Sequence, residues 1–121
     1  MTDAHDADAT KLALLLDDNL MSAVRVQAQL ERMNYRVRTE RNVPSAEGLK
    51  DNTPELIVIN LGSRGMNAVG FIDVCRERFP DARFVGFCGH LEVEIRRAAK
   101  AAGIEKILTN DQAYSELAKS L

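Results

Sequence analysis

At 121 residues with a formal charge of -2, the chain has the size of one domain built round a single core. Its two cysteines are too few for a disulfide framework, and no apolar run is long enough to span a bilayer. Asp3, Asp6 and Asp8 carry three negative charges and leave the remainder near +1, with no long cationic run; a nucleic-acid-binding chain is thereby excluded.

Residues 1–10 hold Ala and Asp with no large apolar residue after Met1, so they are expected to form a disordered leader to a domain over 11–121. This start lacks the basic and apolar regions of a signal peptide, which points to a cytoplasmic protein. The apolar run Leu12 to Leu16 predicts a buried first strand, followed by Asp17 and Asp18. A first helix is expected from Leu20 to Met33, with Leu20, Val24, Ala28 (or Gln27) and Leu30 inward and Asn19 or Asp18 as its cap. Tyr35 to Arg41 alternates, which predicts an edge strand with Tyr35, Val37 and Thr39 inward and Arg36, Arg38 and Glu40 outward. Pro44 to Lys50 reads as a short second helix interrupted at Gly48.

The third strand, Leu56 to Ile59, runs into Asn60 and then a loop with Gly62, Gly65 and Gly70. No nucleotide-cradling glycine pattern occurs in that loop. A third helix over Val69 to Phe79 places Ile72, Cys75 and Phe79 on one face and is stopped by Pro80. Phe84 to Phe87 gives a fourth strand ending at Cys88, Glu92 to Ala102 a fourth helix ended by Gly103, and Lys106 to Thr109 a fifth strand running into Asn110. Gln112 to Ser120 completes the set as a fifth helix.

Strand and helix alternate throughout, so the fold class is α/β: a flavodoxin-like, doubly wound, five-stranded parallel sheet in the order 2-1-3-4-5. In such a sheet the carboxyl ends of the strands share one edge, where ligands bind. Asp17, Asp18, Asn60, Cys88 and Asn110 are expected to gather there. His5 and His90 lack metal-ligand spacing and are read as loop residues, and Cys75 as a core residue.

The succession LLLDDNL, LIVINLGSRGMNAVG, Cys88 and Asn110 resembles, in order and spacing over nearly all of the chain after Lys11, the receiver domain of two-component response regulators. The resemblance implies that Asp17 and Asp18 occupy the family's divalent-metal positions. Asn60 stands where the family has its phosphoacceptor aspartate, Cys88 where it has Ser or Thr, and Asn110 where it has Lys. Arg64 takes the place of the loop proline, and Ile107 that of an aromatic switch residue.

An amide oxygen carries no charge and cannot form an acyl phosphate. The resemblance therefore implies a pseudo-receiver: no enzyme, a degenerate phosphoacceptor site at Asn60, Cys88 and Asn110, and no required cofactor. Asp17 and Asp18, with Asn60 and Gly62, would at most hold Mg²⁺ or Ca²⁺ weakly. The expected function is phosphorylation-independent protein–protein interaction in a two-component-type pathway. The partner would be a protein bound through the face made by the fourth helix, fifth strand and fifth helix, with a homodimer as a further option, and neither nucleic acid nor membrane. The alternative is a metal-dependent phosphoacceptor using Asp17, Asp18 or Ser63.

Overall fold

The computed structural model describes residues 11–49 and 52–121; the expected leader over 1–10 and the end of the expected second helix lie outside them. Five strands form one sheet: β1 (Lys11–Leu16), β2 (Tyr35–Glu40), β3 (Leu56–Asn60), β4 (Arg83–Cys88) and β5 (Lys106–Thr109). They are parallel and ordered β2-β1-β3-β4-β5, as expected. Among the described residues five α-helices cover the sheet: α1 (Leu20–Arg32), α2 (Ala68–Arg78), α3 (Val93–Ala101), α4 (Asn110–Ser115) and α5 (Leu117–Ser120).

Successive side chains of a strand point to opposite faces, so a strand buried on both sides supplies two cores at once. On one face Leu12, Leu14, Leu16, Ile57 and Ile59 pack with Ala68, Ile72 and Cys75 of α2 and Ala99 of α3. On the other, Ala13, Leu15, Val58, Val85 and Phe87 pack with Ala23, Val26 and Leu30 of α1, Ala113 of α4 and Leu117 of α5. The continuous apolar runs of β1 and β3 follow from this double burial.

Four local expectations are corrected. Leu20 and Val24 do not face inward; they are 77% and 57% exposed, and α1 buries Ser22, Ala23, Val26 and Leu30 instead. The helix is turned by its own start: Asn19 caps it by accepting from the backbone N–H groups of Met21 and Ser22, and Ser22 bonds back to Asp17. Pro44 to Leu49 is not a helix beyond a single 3₁₀ turn at Glu47–Leu49, where Ser45 Oγ accepts from Gly48 N.

On β2, Thr39 is exposed while Arg38 and Glu40 are half-buried and paired at 2.6 Å. Arg38 also donates to Gly48 O, so the inner row of this edge strand covers the 3₁₀ turn. The last helix starts two residues earlier than expected and breaks at Glu116, because Thr109 forms a capping box with Gln112.

Candidate functional site

The carboxyl ends of β1 and β3 lie side by side, and the turns after them hold the polar groups of the site. β1 ends at Leu16, registered with Ile59, so Asp17 follows directly beside Asn60, the last residue of β3. Asp17 is 3% exposed and Asn60 8%. A buried carboxylate needs donors for its oxygens, and Asp17 has three. Oδ1 accepts from Asn19 N and from Asn60 Nδ2, each at 2.9 Å, and Oδ2 accepts from Ser22 Oγ at 2.5 Å.

Asn60 is committed at both ends of its amide. Its Nδ2 donates to Asp17 and, at 3.4 Å, to Ser22 Oγ, while its Oδ1 accepts from Gly62 N at 3.1 Å. The amide is required at the first of these contacts: only a donor can stand 2.9 Å from a carboxylate oxygen without repulsion. Among the described residues no buried side-chain polar atom is left without a partner. Asp18 is half-buried and lies beyond this network. Its Oδ1 accepts from Ser63 Oγ at 2.5 Å, and its Oδ2 lies where a Cβ on Gly65 would sit.

Asp18, Asn60, Gly62, Ser63, Arg64 and Gly65 line a cleft of about 440 Å³. Cys88 and Asn110 are not among its walls. Cys88 ends β4 fully buried in the core under α2 and α3, and Asn110 is the first residue of α4, behind the Thr109 cap. Of the five expected residues, therefore, three meet.

Burial pushes the Cys88 thiol above its usual range and the Glu92 charge adds to this, while the Arg96 guanidinium and a hydrogen bond from it pull the other way. The net direction is up, which keeps Cys88 a thiol and removes the basis for a reactive thiolate. Burial drives Cys75 further, up to about 12, against the opposing charge of Arg78. Tyr114 belongs to the same neighbourhood from the other face of the sheet. Its phenol is raised chiefly by burial and next by the charge of Asp17, and Arg25 lies 5.4 Å above its ring.

Two site residues escaped the sequence reading. Ser22 bridges Asp17 and Asn60, and its one signal was its place three residues after the Asn19 cap, on the side of α1 that faces the sheet. Glu92, at the start of α3, carries no capping bond of its own; its carboxylate turns back to accept from Gly89 N at 2.8 Å and reaches over Gly62.

Most oxygens of Asp17, Asp18 and Asn60 are engaged by protein donors, which a divalent cation would have to share or displace. Mg²⁺ takes six oxygens at roughly 2.0–2.1 Å, whereas both Asp17 oxygens, one Asp18 oxygen and the Asn60 oxygen are turned onto protein donors. Among the described residues no group of three His, Cys, Asp or Glu is placed to hold a metal. Nor is any helix of those residues long and apolar enough to cross a membrane.

No protein-family model and no curated protein matches the chain. Solved structures do. A response regulator from Burkholderia pseudomallei, solved with a phosphorylated aspartic acid and a calcium ion, is 25% identical at a TM-score of 0.73, and the match covers 92% of this chain and 66% of that one. The receiver domain of NtrX from Brucella abortus is 18% identical at a TM-score of 0.67, over 90% of this chain and 97% of that one. Chemotaxis protein CheY4 of Vibrio cholerae is 16% identical at 0.69, over 93% and 99%. The chain thus has the fold of the response-regulator receiver domain, with an acid pair at the end of its first strand and an amide at the end of its third.

Proposed function

We propose that this chain is a pseudo-receiver: a domain that works by contact with a protein partner and is not switched by phosphorylation. The carrying observation is the Asn60 amide, which both lacks the charged oxygen that an acyl phosphate needs and donates to Asp17 in a buried network. Most of the site's oxygens accept hydrogen bonds from within the protein, and Cys88 faces the core. The partner surface is the face of α3, β5 and α4, next to which Leu91 and Val93 stand 80% and 56% exposed; a homodimer through this face is a variant of the same reading. Catalysis and cation binding are not needed for this role, and the site of action is the cytoplasm.

One observation favours a second reading. Ser63 is a hydroxyl bonded to the Asp18 carboxylate in an open cleft, an arrangement in which a carboxylate can take a proton from a nucleophile. Incubation with acetyl phosphate and Mg²⁺ followed by intact-mass measurement separates the two. The pseudo-receiver keeps its mass; a phosphoryl adduct mapped to Ser63, Asp17 or Asp18 would establish the alternative.

A further inference from the structure

A cleft of about 590 Å³ lies at the opposite end of the sheet, where β4 and β5 begin. Arg83 opens β4 and Lys106 opens β5, on adjacent strands that register Val85 opposite Lys106. Arg76 of α2 forms a third cationic wall. It is held in place, because one guanidinium nitrogen donates to Ala102 O at 2.8 Å, and a Cβ at Gly103, whose φ is +104°, would strike the guanidinium. A guanidinium has five N–H groups, so this tether leaves others to offer a ligand.

Against three cations the cleft has one acid, Glu105. The ion pairs among the described residues are Lys11 with Glu55 and Arg38 with Glu40, so none of the three is neutralised within 4.0 Å by a described residue. The floor is apolar, with Phe84 half-buried beside Pro80. The volume falls within the roughly 300–1,000 Å³ of sites that take organic ligands, and far exceeds what a free phosphate would fill. Three cations round one cleft also form no track for a nucleic-acid backbone.

We infer that this cleft docks an acidic, partly apolar peptide segment of the partner protein, its carboxylates against Arg76, Arg83 and Lys106 and an apolar side chain over Phe84. The inference rests on the reading of the chain as a protein-binding module and names the chemistry of its partner. The cleft includes Gly103 and Glu105 of the turn between α3 and β5, so it continues the proposed partner face at its lower edge.

The test is fluorescence anisotropy with a dye-labelled peptide of alternating Glu and Leu, and a Gln-Leu peptide as its neutral control. The full chain should bind the acidic peptide saturably, and the control should not bind. Affinity should fall with added salt and drop about tenfold or more in Arg83→Gln/Lys106→Gln, the loss expected for two charge contacts. Both residues are exposed, so the variant should keep the parent circular dichroism, and Arg76→Gln is a second, independent removal.

Equal affinity in parent and double variant overturns the inference, as does saturable binding of pyrophosphate with none of either peptide. A parent that gains mass from acetyl phosphate would sink the pseudo-receiver reading without touching this result.

Discussion

At the scale of single residues, the site is decided by what each group donates and accepts. Asn60 serves Asp17 as a donor, beside Ser22 Oγ and Asn19 N, so the hydrogen bonds that hold the buried carboxylate come from neutral groups. Ser22→Ala should leave one Asp17 oxygen without a partner in a buried place, at a cost of about 1–3 kcal/mol in urea unfolding. Asn60 and Asp17 were legible as partners because both follow apolar strands that had to pair. Ser22 was not, because a lone serine in a helix gives no signal until the rotation of that helix is known.

Cys75 gives a second residue-level expectation, in pH. Its thiol is raised from 9.0 to about 12 in the folded protein, so between those values the folded state binds more protons than the unfolded one. Its stabilising contribution is complete below pH 9.0 and is lost as pH rises towards 12, with a slope of up to about 1.4 kcal/mol per pH unit. Cys75→Ala should show a flatter decline of urea midpoints above pH 9.0 than the parent, and a steady offset below it. Parallel profiles would contradict the assignment.

At the scale of elements, the strands and their order were readable because β1 and β3 are buried on both faces and so show unbroken apolar runs. Helix α2 was readable too, since Ile72, Cys75 and Phe79 offer only one apolar side. Helix α1 was not. Its sequence carries two apolar stripes, Leu20 with Val24 and Ala23 with Val26 and Leu30, and periodicity cannot choose between them. The choice is made by the polar contacts of Asn19 and Ser22 at its first turn. The start of α4 is set in the same way by the reciprocal bonds of Thr109 and Gln112. Thr109→Ala should therefore cost about 1 kcal/mol, near 4 °C in Tm for a domain of this size. An unchanged Tm would mean that packing of Ala113 and Leu117 fixes this segment without its cap.

At the scale of the molecule, the two ends of the sheet are built differently. At the carboxyl end the buried polar groups are satisfied by one another, while the cleft at the amino end of β4 and β5 is lined by three cations and one acid. Order and spacing along the chain revealed the first, because its residues stand in succession after the strands. The second was hidden: Arg76, Arg83 and Lys106 come from three separate elements and are isolated charges in the sequence.

The central claim is that the network is built for an amide at position 60, and the unfolding of Asn60→Asp in EDTA tests it most directly. A carboxylate there would stand against Asp17, to which the amide now donates at 2.9 Å. Two charges at 4 Å repel by about 4 kcal/mol at an effective dielectric near 20, part of which protonation can relieve. We expect Asn60→Asp to melt about 10 °C below the parent at neutral pH and to recover on adding Mg²⁺. If Asn60→Asp is as stable as the parent in EDTA, the amide is incidental and the account of the site is wrong.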